Sequence, residues 1–249
     1  MPGLSAIIIT RNEAANIGDC LDCLAFCDER IVVDAGSSDG TLLIAREKGA
    51  RVSAHSWKGF GPQKNYALSL AHGDWVLSVD ADERVTPALA QAIKAAIATG
   101  AADGYEIPRR STFCGRMMRH SGWFPDRVLR LFRRDKGRFT DDAVHERVIC
   151  DGNVARLKEP LLHYPVARLE DAIRRMDSYS TLGAERVAAS ERRVSFLTGI
   201  AHGAFTFFRI YVLRLGFLDG AEGFLLAVAN AEGTYYRYMK AWLARRRRA

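Results

Sequence analysis

Between residues 6 and 79 three short apolar runs each close on a polar or acidic side chain. Ala6-Ile7-Ile8-Ile9 leads to Thr10, Arg30-Ile31-Val32-Val33 leads to Asp34, and Trp75-Val76-Leu77-Ser78-Val79 leads to Asp80. Helical patterns separate them. Ile17, Leu21 and Leu24 stripe the first, a second starts at Leu42 and stops near Gly49, and a short strand is expected over residues 51–54. Pro62 suits the first turn of a helix running to His72 with Gly73 as its stop. Thr86-Pro87 reads as N-cap and first helical residue, with Leu89, Ile93 and Ile97 on one face and Gly100 at the end. This alternation predicts an α/β fold, a mostly parallel sheet flanked by helices. With 249 residues, 48% of them apolar, the chain is long enough to bury a substantial core.

In such sheets ligands bind beyond the carboxyl ends of the strands. Glu13, Asp34, Asp39, Asp80 and Asp82 all fall there. Crowded carboxylates need cations or hydrogen-bond donors among them, such as ribose hydroxyls, a base N–H or a divalent metal. Asp80-Ala81-Asp82 places two carboxylates at i and i+2 after a strand, a pattern that suits a hard cation such as Mg²⁺ or Mn²⁺ bridging to substrate phosphates. Capping of the following helices accounts for Asn12 and Asp39 equally well, but fits Asp80 and Asp82 poorly. No Gly-x-x-x-x-Gly-Lys-Ser/Thr loop is present, and Gly59-Phe60-Gly61-Pro62-Gln63-Lys64 breaks the dinucleotide-binding glycine pattern at its last position.

Past residue 104 the pattern changes. Strands are expected over residues 105–108 and 128–132, with a Gly-, Met- and Arg-rich loop over 109–125, and from Arg168 onward helices dominate. Residues 1–105 carry a net charge of −4 and the remainder +11, which suits an anionic partner for the second half. Arg109, Arg110, Arg116, Arg119, Arg127 and Arg130 suit the grip of anionic groups such as phosphates. Trp123 and Phe124 suit sugar stacking or ordinary packing. No nucleic-acid recognition motif is visible. Five scattered cysteines argue against a disulfide framework and favour a reducing compartment. Cys20, Cys23 and Cys27 read as a packed helix face rather than a metal site. No basic leader opens the sequence, and no stretch reaches the ~20 apolar residues of a membrane span. The nearest is residues 194–208. Aromatics there and beyond, interleaved with Arg209 and Arg214 and followed by Arg245-Arg246-Arg247-Arg248, are the ingredients of an interfacial helix on anionic lipid. Packing on the first domain or a homo-oligomer contact is the alternative.

Four ordered blocks, Ile9-Thr10-Arg11-Asn12-Glu13, Val33-Asp34-Ala35-Gly36-Ser37-Ser38-Asp39-Gly40-Thr41, Gln63-Lys64-Asn65 and Asp80-Ala81-Asp82-Glu83, resemble the inverting glycosyltransferases of family 2. Within that family the chain is most similar to the lipopolysaccharide-core β-1,4-glucosyltransferases, with support from Val144-His145-Glu146 and from residues 211–220. The resemblance implies a GT-A domain, Rossmann-like and built for nucleotide-diphospho-sugars, over residues 1–167. A helical C-terminal extension would follow over 168–249. It also implies roles. Thr10, Glu13 and Asp34 would serve the uridine, Lys64 and Asn65 the nucleotide, and Asp80 the ribose or the metal's water shell. Asp82 would ligate Mg²⁺ or Mn²⁺, with His163 as a late metal ligand or a structural histidine.

The implied reaction is one inverting displacement moving a sugar, glucose from UDP-glucose, onto a lipid-linked inner-core acceptor. Its place would be the cytoplasmic face of the bacterial inner membrane. An acceptor hydroxyl needs a base within reach. Glu146 is the candidate, Asp142 the reserve, and His145 would orient the base or bind phosphate. A surface salt bridge with Arg147 is the alternative for Glu146. Another lipid-linked glycan acceptor, or a catalytically inactive nucleotide-binding scaffold, are the rival functions.

Overall fold

The computed structural model of the chain describes residues 3–141, 146–190 and 194–246. In order, the first half forms β1 (Leu4–Thr10), α1 (Ile17–Cys23), β2 (Glu29–Asp34), α2 (Thr41–Glu47), β3 (Arg51–Ala54), α3 (Phe60–Ser69), β4 (Trp75–Ser78), β5 (Glu83–Val85) and α4 (Pro87–Thr99). Then come β6 (Gly104–Phe113), β7 (Arg116–Met117), β8 (Asp126–Arg133), β9 (Gly137–Phe139), β10 (Val148–Cys150), β11 (Val154–Arg156) and β12 (Leu161–Val166). Three helices follow: α5 (Leu169–Ala189), α6 (Phe196–Phe208) and α7 (Gly220–Arg246). The chain divides into two compact units, residues 1–109 with 126–163, and residues 110–125 with 164–249.

The first unit is the expected α/β layer. Its sheet runs β3-β2-β1-β4-β8-β6-β12-β5, with β11 beside β6. β3, β2, β1 and β4 are parallel, and β8 joins β4 antiparallel, which makes the sheet mixed. Successive residues of β1 face opposite layers. Ala6 and Ile8 pack with α1 and α4 residues such as Leu21 and Ile93, while Ile7 packs with Ala67, Val76 and Phe132 on the α3 side. Cover on both faces explains why these strands read as unbroken apolar runs.

Local chemistry sets the helix ends. Thr86 caps α4 by accepting from the Leu89 N–H at 3.1 Å, Pro87 fills its first position, and Gly100 closes it in the left-handed region at φ 58°. α3 differs from expectation. It starts at Phe60 and stops at Ser69, because tight turns at Leu70 and Ala71 break it before Gly73. Gly73 lies so close to Gly3 that a Cβ would sit 2.7 Å from the Gly3 carbonyl oxygen. Cys20 and Cys27 are buried in the core, but α1 ends at Cys23, so Cys27 packs from the turn beyond the helix rather than from its face. Burial pushes the Cys27 thiol up to about 12.

In the second unit, residues 109–125 are not the loop expected from composition. β6 continues through Ser111, Thr112 and Phe113 and turns back through β7. Phe113, Met118 and Trp123 pack with Val166, Ala172 and Leu226. Trp123 meets Phe113 edge-on at 5.8 Å, and Arg110 covers the Phe124 ring at 5.0 Å, so both aromatics are engaged in packing. Asp219, buried, accepts from the Arg119 N–H, the His120 N–H and the Ser121 hydroxyl at 3.0–3.1 Å. Arg119 therefore lends its backbone to holding this loop. α6 continues through one π-helical turn to Leu213. The continuous segment Phe196–Leu213 is long and apolar enough to cross a membrane by length and composition, and only 22% of it is buried. The sequence alone ends this apolar segment at Phe208, before Arg209.

Candidate active site

The β1–β2 register sets Thr10 opposite Asp34 at the carboxyl ends of both strands. Asp34 is buried. Its Oδ2 accepts from the Gly36 and Ser37 N–H groups at 2.8 Å each, and its Oδ1 from the hydroxyls of Ser37 at 2.5 Å and Thr10 at 3.2 Å. Burial opposes the charge, but the Ser37 hydroxyl and these other donors outweigh it and hold the carboxyl below its usual range. Asp34 thereby shapes the turn after β2.

Asn12, at φ 56°, accepts from the Ser38 N–H at 2.8 Å. Asp39 ties the start of α2 through the Thr41 hydroxyl at 2.5 Å and N–H at 3.1 Å, and it reaches the Ala14 N–H at 3.1 Å. The N-caps are instead Asn16 for α1 and Gly40 for α2, neither with a side-chain cap bond, and Asn12 and Asp39 tie the turn after β1 to the turn after β2. The Glu13 carboxylate accepts from the Asn16 side chain at 2.8 Å, and the Glu13 N–H donates to the Thr41 hydroxyl.

Charge concentrates one strand over. The Lys64 ammonium, on a side chain 6% exposed, lies 3.0 Å from Asp80 Oδ1 and 2.9 Å from Glu146 Oε1. Arg130 Nη2 lies 2.5 Å from Asp80 Oδ2 and 2.6 Å from Glu83 Oε1. Glu83 in turn accepts from the Asp80 N–H at 2.9 Å. Burial opposes the Asp80 charge, yet Arg130 and then Lys64 outweigh it and hold this carboxyl far below the usual range. Burial pushes the Glu83 carboxyl up. Burial also works against the Arg130 charge, and Asp80 and Glu83 keep it protonated. Both Asp80 oxygens are thus occupied by protein cations. Glu146 pairs with Lys64, a partner the sequence reading did not give it. Asp142 and His145 lie outside the described residues.

Asp82 and His163 converge. β5 and β12 pair antiparallel with His163 opposite Glu83, which brings His163 Nε2 to 3.5 Å from Asp82 Oδ2. The two side chains are 14% and 19% exposed for His163 and Asp82 respectively. Among the described residues no group of three or more His, Cys, Asp or Glu side chains makes a closed cage. One carboxylate and one imidazole at a partly open position fit a divalent cation whose other ligands come from a diphosphate and water.

Other expected contacts are spent elsewhere. The Asn65 side chain makes two hydrogen bonds at 2.9 Å, to the Phe139 N–H and carbonyl, and so fixes β9 against α3. Arg109 binds Asp126 at 2.6 Å and approaches Glu83 at 3.6 Å. Arg130, read from sequence among the arginines suited to an anionic ligand, is instead buried against Asp80 and Glu83. A single arginine inside the apolar run Val128-Leu129-Arg130-Leu131-Phe132 was the available signal, since an arginine in a core strand demands a carboxylate partner.

The family model described as glycosyl transferase family 2 matches residues 5–163, and the chain belongs to that family. It is 33% identical over 243 residues to the lipopolysaccharide core biosynthesis glycosyltransferase LpsC of Rhizobium meliloti, covering 92% of this chain and 87% of that protein. It is 28% identical to an uncharacterized glycosyltransferase of Rickettsia felis, covering 96% of this chain and 89% of the relative. The crystal structure of S. aureus TarS 1-349 superposes with a TM-score of 0.50 at 19% identity, covering 98% of this chain and 91% of that one. That likeness speaks for the fold. The protein is a family 2 glycosyltransferase with a GT-A sheet and a C-terminal helical region, and a homologue of a lipopolysaccharide core enzyme.

Proposed function

We propose that this enzyme moves glucose from UDP-glucose onto a lipid-linked inner-core saccharide by a single inverting displacement. The relative LpsC, named for lipopolysaccharide core biosynthesis, supports the acceptor class. The observation that carries the chemistry is Lys64, whose ammonium joins Asp80 of the Asp-Ala-Asp block to Glu146. It puts the candidate base within one side chain of the donor motif.

Thr10, Glu13 and Asp34 line the uridine end. Lys64 serves the nucleotide, Asn65 acts through β9, and Asp80 serves the ribose or the metal's water shell. Asp82 and His163 would hold Mg²⁺ or Mn²⁺, which supplies charge to stabilise the departing nucleoside diphosphate. The acceptor hydroxyl oxygen attacks the anomeric carbon as the carbon–oxygen bond to the diphosphate breaks. The bonding pair leaves with the diphosphate, and the hydroxyl proton passes to Glu146, with Asp142 as the reserve base. Inversion follows from one displacement without a sugar–enzyme bond.

Phe196, Phe205 and Phe208 are exposed on α6, and residues 194–218 contain no carboxylate and two arginines. They support peripheral attachment to an anionic bilayer. A panel of nucleotide sugars and core oligosaccharides with Mn²⁺ tests the proposal. Transfer from UDP-glucose to a heptose-containing core is expected. Transfer to another lipid-linked glycan would move the acceptor assignment, and nucleotide binding with no transfer to any acceptor would remove the enzyme assignment.

A further inference from the structure

Residues 55–59 connect β3 to α3, and the segment from 55 to 61, which includes the first residues of α3, is anchored at both ends. His55 donates its N–H to the Asp34 carbonyl at 2.9 Å, and its ring stacks on Tyr66 at 4.0 Å. Its Nδ1 lies 2.9 Å from the Gln63 side-chain oxygen. At the far end Gly61 is buried, and a Cβ there would fall 1.9 Å from the Thr140 carbonyl oxygen. Thr140 and Arg147 are joined through their backbones at 3.0 Å, so this contact reaches the residue next to Glu146. The loop thus runs from the Asp34 end of the site to the Glu146 end.

Between the anchors the loop holds aromatic surface out in water. Gly59, at φ 114°, and Gly61 are buried, while Trp57 and Phe60 are 43% and 40% exposed. Their rings meet edge-on at 4.8 Å, nearly perpendicular. A loop pinned this firmly does not bury its largest apolar groups. An aromatic face fixed at the rim of a sugar-transfer site matches the apolar C–H face of a pyranose ring, at little cost in side-chain entropy.

We propose that Trp57 and Phe60 form the platform on which a sugar ring of the saccharide acceptor stacks, presenting its hydroxyl toward Glu146. This rests on the reading of the enzyme as a sugar transferase with Glu146 as base. The charged groups around Lys64 serve the donor and the proton, and the aromatic pair supplies acceptor affinity.

The test compares wild type with W57A, F60A and the conservative W57F, using a delipidated heptose-containing core oligosaccharide. W57A and F60A are expected to raise the acceptor KM about tenfold, with W57F recovering most of the loss. UDP affinity by calorimetry and melting temperature should stay at wild-type values. An unchanged acceptor KM overturns the proposal. So does a fall in UDP affinity with acceptor KM preserved, which would put the nucleobase on these rings. If wild type transfers nothing, the transferase reading fails separately. Binding is then read by quenching of tryptophan emission by the same oligosaccharide. Quenching lost in W57F supports the platform, and its absence in wild type overturns it.

Discussion

Lys64 and Glu146 form an ion pair with Nζ 2.9 Å from Oε1, on side chains 6% and 15% exposed. The same ammonium also holds Asp80. In the proposed mechanism this pair has to open before Glu146 can take up the acceptor's proton. A donor diphosphate would compete for the same ammonium, which makes donor arrival a natural step in loosening it.

Glu146→Gln keeps the shape and removes the proton acceptor. We expect UDP affinity within about twofold of wild type and a fall in kcat of about 10²–10⁴-fold. Steady-state kinetics and calorimetry on the same preparation check this. Near-normal turnover would transfer the role to Asp142.

Asp82→Asn and His163→Ala should weaken UDP binding in Mn²⁺ and leave metal-free binding almost unchanged. Titrations with Mn²⁺ and with EDTA separate the two terms. Equal loss in both conditions would mean that these side chains act on the nucleotide directly.

Among the described residues, Arg130→Met leaves Glu83 with the Asp80 N–H and the 3.6 Å approach of Arg109, and Asp80 with Lys64 as its cation. Breaking a buried pair by removing one partner costs about 3–5 kcal/mol, and urea unfolding should register a loss of that size. Little change would mean that water takes over the arginine's contacts.

Asp34 gives the fold an acid sensitivity of definite sign. Its carboxyl is held below the usual value despite burial. Between the folded and unfolded values the unfolded chain binds more protons, so stability rises with pH there. The contribution is fully present above about pH 4 and is lost as pH falls through the folded value. Asp34→Asn should flatten this acid limb in thermal melts taken across that range.

Phe205→Ser with Phe208→Ser removes exposed apolar area from α6 without touching a buried residue. Co-sedimentation with phosphatidylglycerol vesicles should fall severalfold while the melting temperature holds. Unchanged sedimentation would return this surface to a contact between copies.

The donor half was legible because its signals are local. Thr86, Pro87 and Gly100 each state a helix boundary, and apolar runs closing on Asp34 and Asp80 state where strands end. Partnerships across the chain were not legible. Lys64 meets Glu146 only after α3 packs beside β9, and Arg130 meets Asp80 only because β8 runs antiparallel to β4. The hairpin in residues 109–125 was hidden because the short strand-forming run Ser111-Thr112-Phe113 is bracketed by Arg109-Arg110 and Cys114-Gly115-Arg116 and shows no apolar alternation. Trp57 and Phe60 carried no periodic signal, since Trp57 lies on the loop before α3 and Phe60 opens that helix, and the anchors that fix them are distant in sequence.

Asp82 and His163 owe their proximity to three rungs of ladder, Leu161 with Val85, Leu162 with Arg84 and His163 with Glu83. A slip of one residue would turn the imidazole to the opposite face of the sheet. The intervening stretch is bound into the same sheet, since β6 and β8 lie between β12 and β4 and β8 carries Arg130 to Asp80. Changes of length there can be absorbed only in its turns, and one within a strand would displace the aspartate pair together with its cationic partners.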